Sequence, residues 1–145
     1  MHQFDLKKKT AVITGGAQGF GLNIAKKFLL SGAKVFIWDI DEKELIKAVK
    51  EINNPNLEYN VVDVTNFNEI QNTVKKITTN NNVDILINNA GITGPTTELW
   101  NYNNDEWNKI VQINLMGTFY CCKSIVPHMI KNNYGRIVNV ASVAG

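Results

Sequence analysis

The chain has 145 residues, 44% of them apolar and 19% charged, with a formal net charge of +2. That length suits one domain with a real core, taken as residues 1–145, and is too short for two. The small net charge argues against a nucleic-acid surface, since the one dense basic run, Lys7 to Lys9, reads as a solvated lead-in to the first strand. No run is long enough to span a membrane, and residues 1–9 lack the apolar stretch of a signal peptide. A cytoplasmic protein with no membrane partner is the expectation.

Thr10 to Ile13 is an apolar run that reads as a buried strand. It leads into Thr14-Gly-Gly-Ala-Gln-Gly-Phe-Gly21 and then a helical pattern with Phe20, Ile24, Ala25, Phe28 and Leu29 on one face. Strand, glycine turn and helix in that order make an anion site. Glycines at 15, 19 and 21 let a pyrophosphate approach the main chain, and the unpaired amides and dipole of the helix N-terminus favour negative charge. The spacing is G-x-x-x-G-x-G, not the general dinucleotide fingerprint G-x-G-x-x-G. No Lys followed by Ser or Thr is present there, which excludes a nucleoside-triphosphate P-loop; the remaining alternative is a purely structural turn.

The first helix stops at Ser31-Gly32, and Lys34 to Trp38 is a second buried strand ending in Asp39. Asp41 and Glu44 form a capping box for a helix striped by Leu45, Ala48, Val49 and Ile52, which Pro55 terminates. Leu57 to Val62 is the third strand, ending in Asp63. A helix boxed by Asn66 and Glu69 follows, with Phe67, Ile70, Val74 and Ile77 as its stripe. Val83 to Ile87 is the fourth strand and runs into Asn88-Asn89-Ala90-Gly91. After the irregular stretch from Ile92 to Asn104 comes one long helix carrying Trp107, Ile110, Val111, Leu115, Cys122, Ile125 and Met129, which Pro127 should bend or break. Arg136 to Val140 is the fifth strand.

Apolar strands alternating with helices predict an α/β fold, a Rossmann-like doubly wound parallel sheet with five strands present. Ligands of such sheets bind beyond the carboxyl ends of the strands, here Thr14, Asp39, Asp63, Asn88 and Val140. Asp39 lies eighteen residues after Gly21, where a carboxylate can accept hydrogen bonds from both adenosine ribose hydroxyls and repel a 2′-phosphate. Ile40 rather than a basic residue follows it, and Gln18 precedes Gly19, so NAD is expected over NADP. The alternative for Asp39 is a helix-capping role alongside Asp41. Cys121 and Cys122, adjacent on a helix, fit no metal spacing, and His2 and His128 have no partner cluster, so no metal site is expected.

Five motifs in order, Thr14-Gly-x-x-x-Gly-x-Gly21, Asp63-Val64, Asn88-Asn89-Ala90-Gly91, Asn114-x-x-Gly117 and Gly135-Arg-Ile-Val-Asn-Val-Ala-Ser142, resemble the short-chain dehydrogenases/reductases. That resemblance implies an NAD-dependent oxidoreductase moving a hydride between nicotinamide and a secondary alcohol or ketone, free or carrier-bound. It looks most like 3-oxoacyl-carrier-protein reductases and sugar or polyol dehydrogenases. The implied cofactor contacts are Gly15, Gln18, Gly19, Phe20, Gly21, Asp39, Ile40, Asp63, Val64, Asn89, Ala90 and Gly91, with Asp63 and Val64 meeting the adenine. Asn114, in mid-helix, is implied as the proton-relay member, against a satisfied core asparagine as the alternative; Ser142 would orient the substrate. Family members also use the long helix between subunits, implying a dimer or tetramer.

One departure stands out. The family's Tyr-x-x-x-Lys pair, expected a dozen residues beyond the serine, does not occur in these 145 residues, and Tyr134 is followed four positions on by Val138. The sequence therefore reads as the cofactor-binding, N-terminal part of such an enzyme, truncated before the remaining strands and close to inactive by itself. Ile137, Val138 and Val140 would then lie near an unfinished, association-prone sheet edge. The competing reading is a non-catalytic NAD-binding module or redox-sensing interaction protein.

Overall fold

The computed structural model describes residues 4–142; His2 lies outside them. Five strands, β1 (Thr10–Thr14), β2 (Lys34–Asp39), β3 (Leu57–Val61), β4 (Ile85–Asn88) and β5 (Arg136–Asn139), form one parallel sheet in the order β3-β2-β1-β4-β5. The helices are α1 (Gly19–Leu30), α2 (Glu42–Ile52), α3 (Phe67–Thr78), α4 (Asn104–Val111) and α5 (Gly117–Lys131). The strand order reverses between β1 and β4, and that switch point opens a crevice at the carboxyl ends of the strands.

Each strand is apolar almost throughout because the sheet is covered on both faces, and alternate residues serve different layers. Ala11, Ile13, Val35, Ile37, Ile85 and Ile87 pack with Ala25 and Leu29 of α1 and Leu45 and Ala48 of α2. Val12, Phe36, Trp38 and Leu86 point the other way, to Ile70, Val74 and Ile77 of α3 and Cys121, Ile125 and Met129 of α5. The two edge strands are the exceptions: in β3 only Leu57 is buried, and all four residues of β5 are exposed.

Several expectations need correction. Phe20 does not share the buried face of α1, which consists of Gly21, Ala25 and Leu29; its ring is 80% exposed and stands on the crevice side. β4 begins at Ile85 rather than Val83, although Asp84 already bridges the neighbouring strands: its N–H donates to the Thr10 carbonyl (2.9 Å), its carbonyl accepts the Arg136 N–H (2.9 Å) and its Oδ2 accepts the Thr10 N–H (2.9 Å). The long helix is interrupted not at Pro127, which α5 absorbs, but by a π-helical turn at Gln112–Met116.

Both predicted capping boxes are half-formed. Asp41 accepts the Glu44 N–H (3.1 Å) and Asn66 that of Glu69 (3.2 Å). The return bonds go elsewhere: the Asp41 N–H donates to Asp39 Oδ1 (3.2 Å), and Glu69 Oε2 accepts the Asp63 N–H (3.3 Å). These are the residues that rim the crevice.

Candidate functional site

The glycine turn is a backbone device. Gly15 and Gly19 have φ of +61° and +57°, a left-handed conformation that costs a side-chain-bearing residue about 1–2 kcal/mol. Gly21 is required by proximity: a β-carbon there would collide with the Gly15 carbonyl oxygen and lie 2.6 Å from Asn89 Nδ2. The tight return brings α1 to its start with Gln18 as the N-cap residue, and no side chain caps it and no acidic residue occupies its first turn. By contrast Asp41, Asn66 and Asn103 cap α2, α3 and α4. An uncapped helix N-terminus leaves amide donors and the positive end of the dipole for an external anion.

The turn is tied to β4 by two residues. Thr14 Oγ1 accepts the N–H groups of Asn89 and Ala90, both at 3.0 Å, and lies 3.5 Å from the Ile87 carbonyl as donor. The Asn89 side-chain amide donates to the carbonyls of Thr14 and Gly15, also at 3.0 Å. Asn89 is thus a brace across the switch point rather than a plain turn residue. Thr14 was not singled out by the sequence as a site residue, although its place directly before the glycines was a usable signal.

A cleft of about 410 Å³ opens above this brace. Gly15, Gln18, Phe20, Asp39, Ile40, Asp63, Val64, Asn89, Ala90 and Gly91 line it, so ten of the twelve residues expected to touch a cofactor meet in one place. Gly19 and Gly21 stand outside its lining. Val62, Ile92 and Ile113 complete the walls.

Asp39 is half-buried at the end of β2, with Oδ2 accepting the Ala17 N–H at 3.3 Å. Together with the Asp41 bond, this makes Asp39 a local cap as well as a wall of the cleft. Asp63 Oδ1 accepts from the Thr65 amide (2.8 Å) and hydroxyl (2.7 Å).

An adjoining cleft shares Asn89, Ala90, Gly91 and Ile92 with the first and adds Asn88, Thr93, Asn114, Thr118 and Ser142. Asn114, expected in mid-helix, lies where a π turn interrupts the helix. It sits exposed in the π turn, and its side chain makes a reciprocal pair with Ile92: Oδ1 accepts the Ile92 N–H and Nδ2 donates to the Ile92 carbonyl, both at 2.9 Å. The amide is thereby spent on holding the loop after Gly91. Among the described residues, no group of three or more His, Cys, Asp or Glu side chains is placed to hold a metal ion, and no helix is long and apolar enough to cross a membrane.

A parallel sheet with a glycine turn at its switch point, an uncapped helix beyond it and a carboxylate at the end of the neighbouring strand defines a Rossmann-like fold. The family model for short chain dehydrogenases matches residues 9–145, and the chain belongs to that family. It is 38% identical over 138 residues to 2-dehydro-3-deoxy-L-rhamnonate dehydrogenase (NAD(+)) of a Sphingomonas species, covering 94% of this chain and 55% of that protein. It is 37% identical over 138 residues to 3-oxoacyl-[acyl-carrier-protein] reductase of Chlamydia pneumoniae, covering 93% of this chain and again 55% of the relative. Among solved structures, that of gox2181 superposes with a TM-score of 0.93 at 34% identity over 97% of this chain and 56% of that one. Serine dehydrogenase from Escherichia coli gives 0.88 at 28%, over 93% of this chain and 62% of that one. The chain thus spans little more than half the length of the curated relatives it matches.

Proposed function

We propose that this chain binds NAD and forms the cofactor half of an oxidoreductase that interconverts a secondary alcohol and a ketone. The observation that carries this reading is the uncapped N-terminus of α1 above a cleft walled by Asp39. The first-turn amides of α1 hold the pyrophosphate, and the glycine turn gives it room. Asp39 accepts from the adenosine ribose hydroxyls and, as a carboxylate beside uncharged Ile40 and Gln18, repels a 2′-phosphate. Similarity to a relative named for NAD(+) points the same way. Bound NAD supplies the hydride-accepting ring.

The residues of this chain do the rest by placement. Asp63 and Val64 would meet the adenine from one wall of the cleft, and the Asn89–Gly91 turn lies between it and the cleft that holds Asn114 and Ser142. Ser142 hydrogen-bonds the substrate oxygen, and Asn114 belongs to the proton path through its place in the π turn. The substrate is a small or carrier-bound carbonyl or alcohol. Because no Tyr-x-x-x-Lys occurs in the 145 residues, the chain by itself turns over slowly; general acid/base groups typically contribute about 10²–10⁴ in rate.

Self-association accompanies this reading. Trp107, Leu115 and Phe119 of the α4–α5 segment are 50%, 63% and 50% exposed, and the β5 edge bares Ile137 and Val138. The test of function is a fluorescence titration with NADH and NADPH. Saturable NADH binding with NADPH at least about tenfold weaker is expected, a discrimination of ~1.4 kcal/mol. Equal affinities would overturn the Asp39 assignment, and no binding of either would overturn the dinucleotide site. Turnover of simple ketones by the chain alone at rates usual for such enzymes would sink the slow-turnover statement.

A further inference from the structure

We propose that the side-chain amides of Asn88 and Asn139 form a positioning clamp that sets the Ser142 segment against the cofactor-side turn; the functional meaning of the clamp rests on the dinucleotide reading above. Asn88 and Asn139 are register partners at the carboxyl ends of β4 and β5. Asn88 Nδ2 donates to Asn139 Oδ1 at 2.8 Å, and the Asn88 carbonyl accepts the Val140 N–H at 2.9 Å. One residue therefore grips the end of β5 twice, by side chain and by main chain. Its neighbour Asn89 grips the opposite way, onto the Thr14 and Gly15 carbonyls. Two consecutive asparagines thus connect the glycine turn to the strand that reaches Ser142 three residues after Asn139.

Among the described residues β5 is little covered, with Ile137 and Val138 at 41% and 49% exposed, and the hydrogen bonds of Asn88 are what hold its end to β4. Asn88, in contrast, is 4% exposed. The second hydrogen of its amide faces Cys122 Sγ at 3.4 Å, and its Oδ1 is buried with no partner. An unpaired buried acceptor is unfavourable, and an apolar residue of the kind found one position earlier, Ile87, would avoid it. The amide at position 88 contributes direction rather than stability. It holds Asn139, and through it the start of the segment lining the Ser142 cleft.

The clamp is tested at its exposed end, where substitution does not disturb the core. In Asn139→Leu the acceptor is gone; in Asn139→Asp an acceptor remains for Asn88 Nδ2. Hydrogen exchange of the Val140 amide is measured in the whole chain alongside thermal melting and NADH titration. The expected result is exchange at Val140 faster by about tenfold in the Leu variant, the scale of one lost hydrogen bond, and restored to within about twofold in the Asp variant. The melting temperature of the Leu variant falls only as one lost hydrogen bond requires, and NADH affinity stays at the wild-type value. Unchanged exchange in the Leu variant overturns the proposal, as does failure of the Asp variant to restore it. A uniform rise in exchange with a lowered melt overturns it as well, since that signals general loosening. Failure of the wild-type chain to bind NADH would strike the functional reading and leave the exchange comparison intact.

Discussion

The carboxylate of Asp39 accepts the Ala17 N–H at 3.3 Å, linking the end of β2 to the floor of the glycine turn. Its other oxygen accepts the Asp41 N–H at the start of α2. The side chain expected to choose the cofactor also holds the turn that cradles it. Charge and bracing can be separated by substitution. Asp39→Asn keeps one of the two acceptors and loses the charge, so the preference for NADH over NADPH should fall while the melt drops only by the loss of one hydrogen bond. Asp39→Ala loses both bonds and should cost about 1 kcal/mol more. Titration and melting of the two variants check this; an Asn variant as selective as the parent would show that the charge does not discriminate.

Gly21 and Gly19 stand six and four residues after Gly15 in one turn, yet they fail for different reasons when given a side chain. A β-carbon at position 21 meets the Gly15 carbonyl, which is backbone and cannot swing aside. At position 19 nothing lies within 4 Å, and the cost is the φ of +57° alone. Gly21→Ala should therefore abolish NADH binding and destabilise the chain by more than ~3 kcal/mol, whereas Gly19→Ala should cost about 1–2 kcal/mol. Urea unfolding of the pair measures the order, and equal losses would refute the collision argument.

Apolar runs and helical stripes made the sheet, its order of elements and most of the cleft legible in advance. Each rests on short-range patterning: Leu45 and Ala48, or Ile70, Val74 and Ile77, can face a core only on helices. The misreadings arise where one long-range bond outranks the pattern. At the start of β4 the Asp84 side chain, not a strand carbonyl, takes the Thr10 N–H. Phe20 lies one residue from the buried Gly21, too close to the crevice to turn inward. Asn114 lies in a π turn, where a 3.6-residue period does not hold, and its amide faces Ile92. No periodicity in the sequence announces that turn.

Thr14 predicts a large effect from a small change. Its hydroxyl accepts two N–H groups at 3.0 Å on a residue only 2% exposed. Thr14→Val keeps the shape and leaves both amides without a partner, for a loss of about 1–3 kcal/mol on the usual scale for an unsatisfied buried group. NADH affinity should fall with it, because the Asn89–Gly91 turn borders the cleft. Thr14→Ser restores the hydroxyl and should recover most of both; a Val variant as stable as the parent would remove Thr14 from the brace.

The two cysteines should separate by reactivity. Cys121 is fully buried between α5 and the sheet, and burial, with the Cys122 thiol adding to it, pushes its pKa up to about 12. The thiolate is the reactive form, so alkylation of the native chain at about pH 8 should modify Cys122 and spare Cys121, with both reacting once denaturant is added. The same shift has a stability consequence of fixed sign. The folded chain keeps the Cys121 proton where the unfolded chain, near the ordinary 9.0, releases it; this contribution is complete below pH 9 and is lost as pH rises toward about 12. Melting curves of the parent against Cys121→Val should therefore diverge least below pH 9 and change relative to one another above it. Mass mapping that found both thiols modified at equal rates in the native state would show that Cys121 is open to solvent, and the core packing of α5 against β1 and β4 would have to be redrawn.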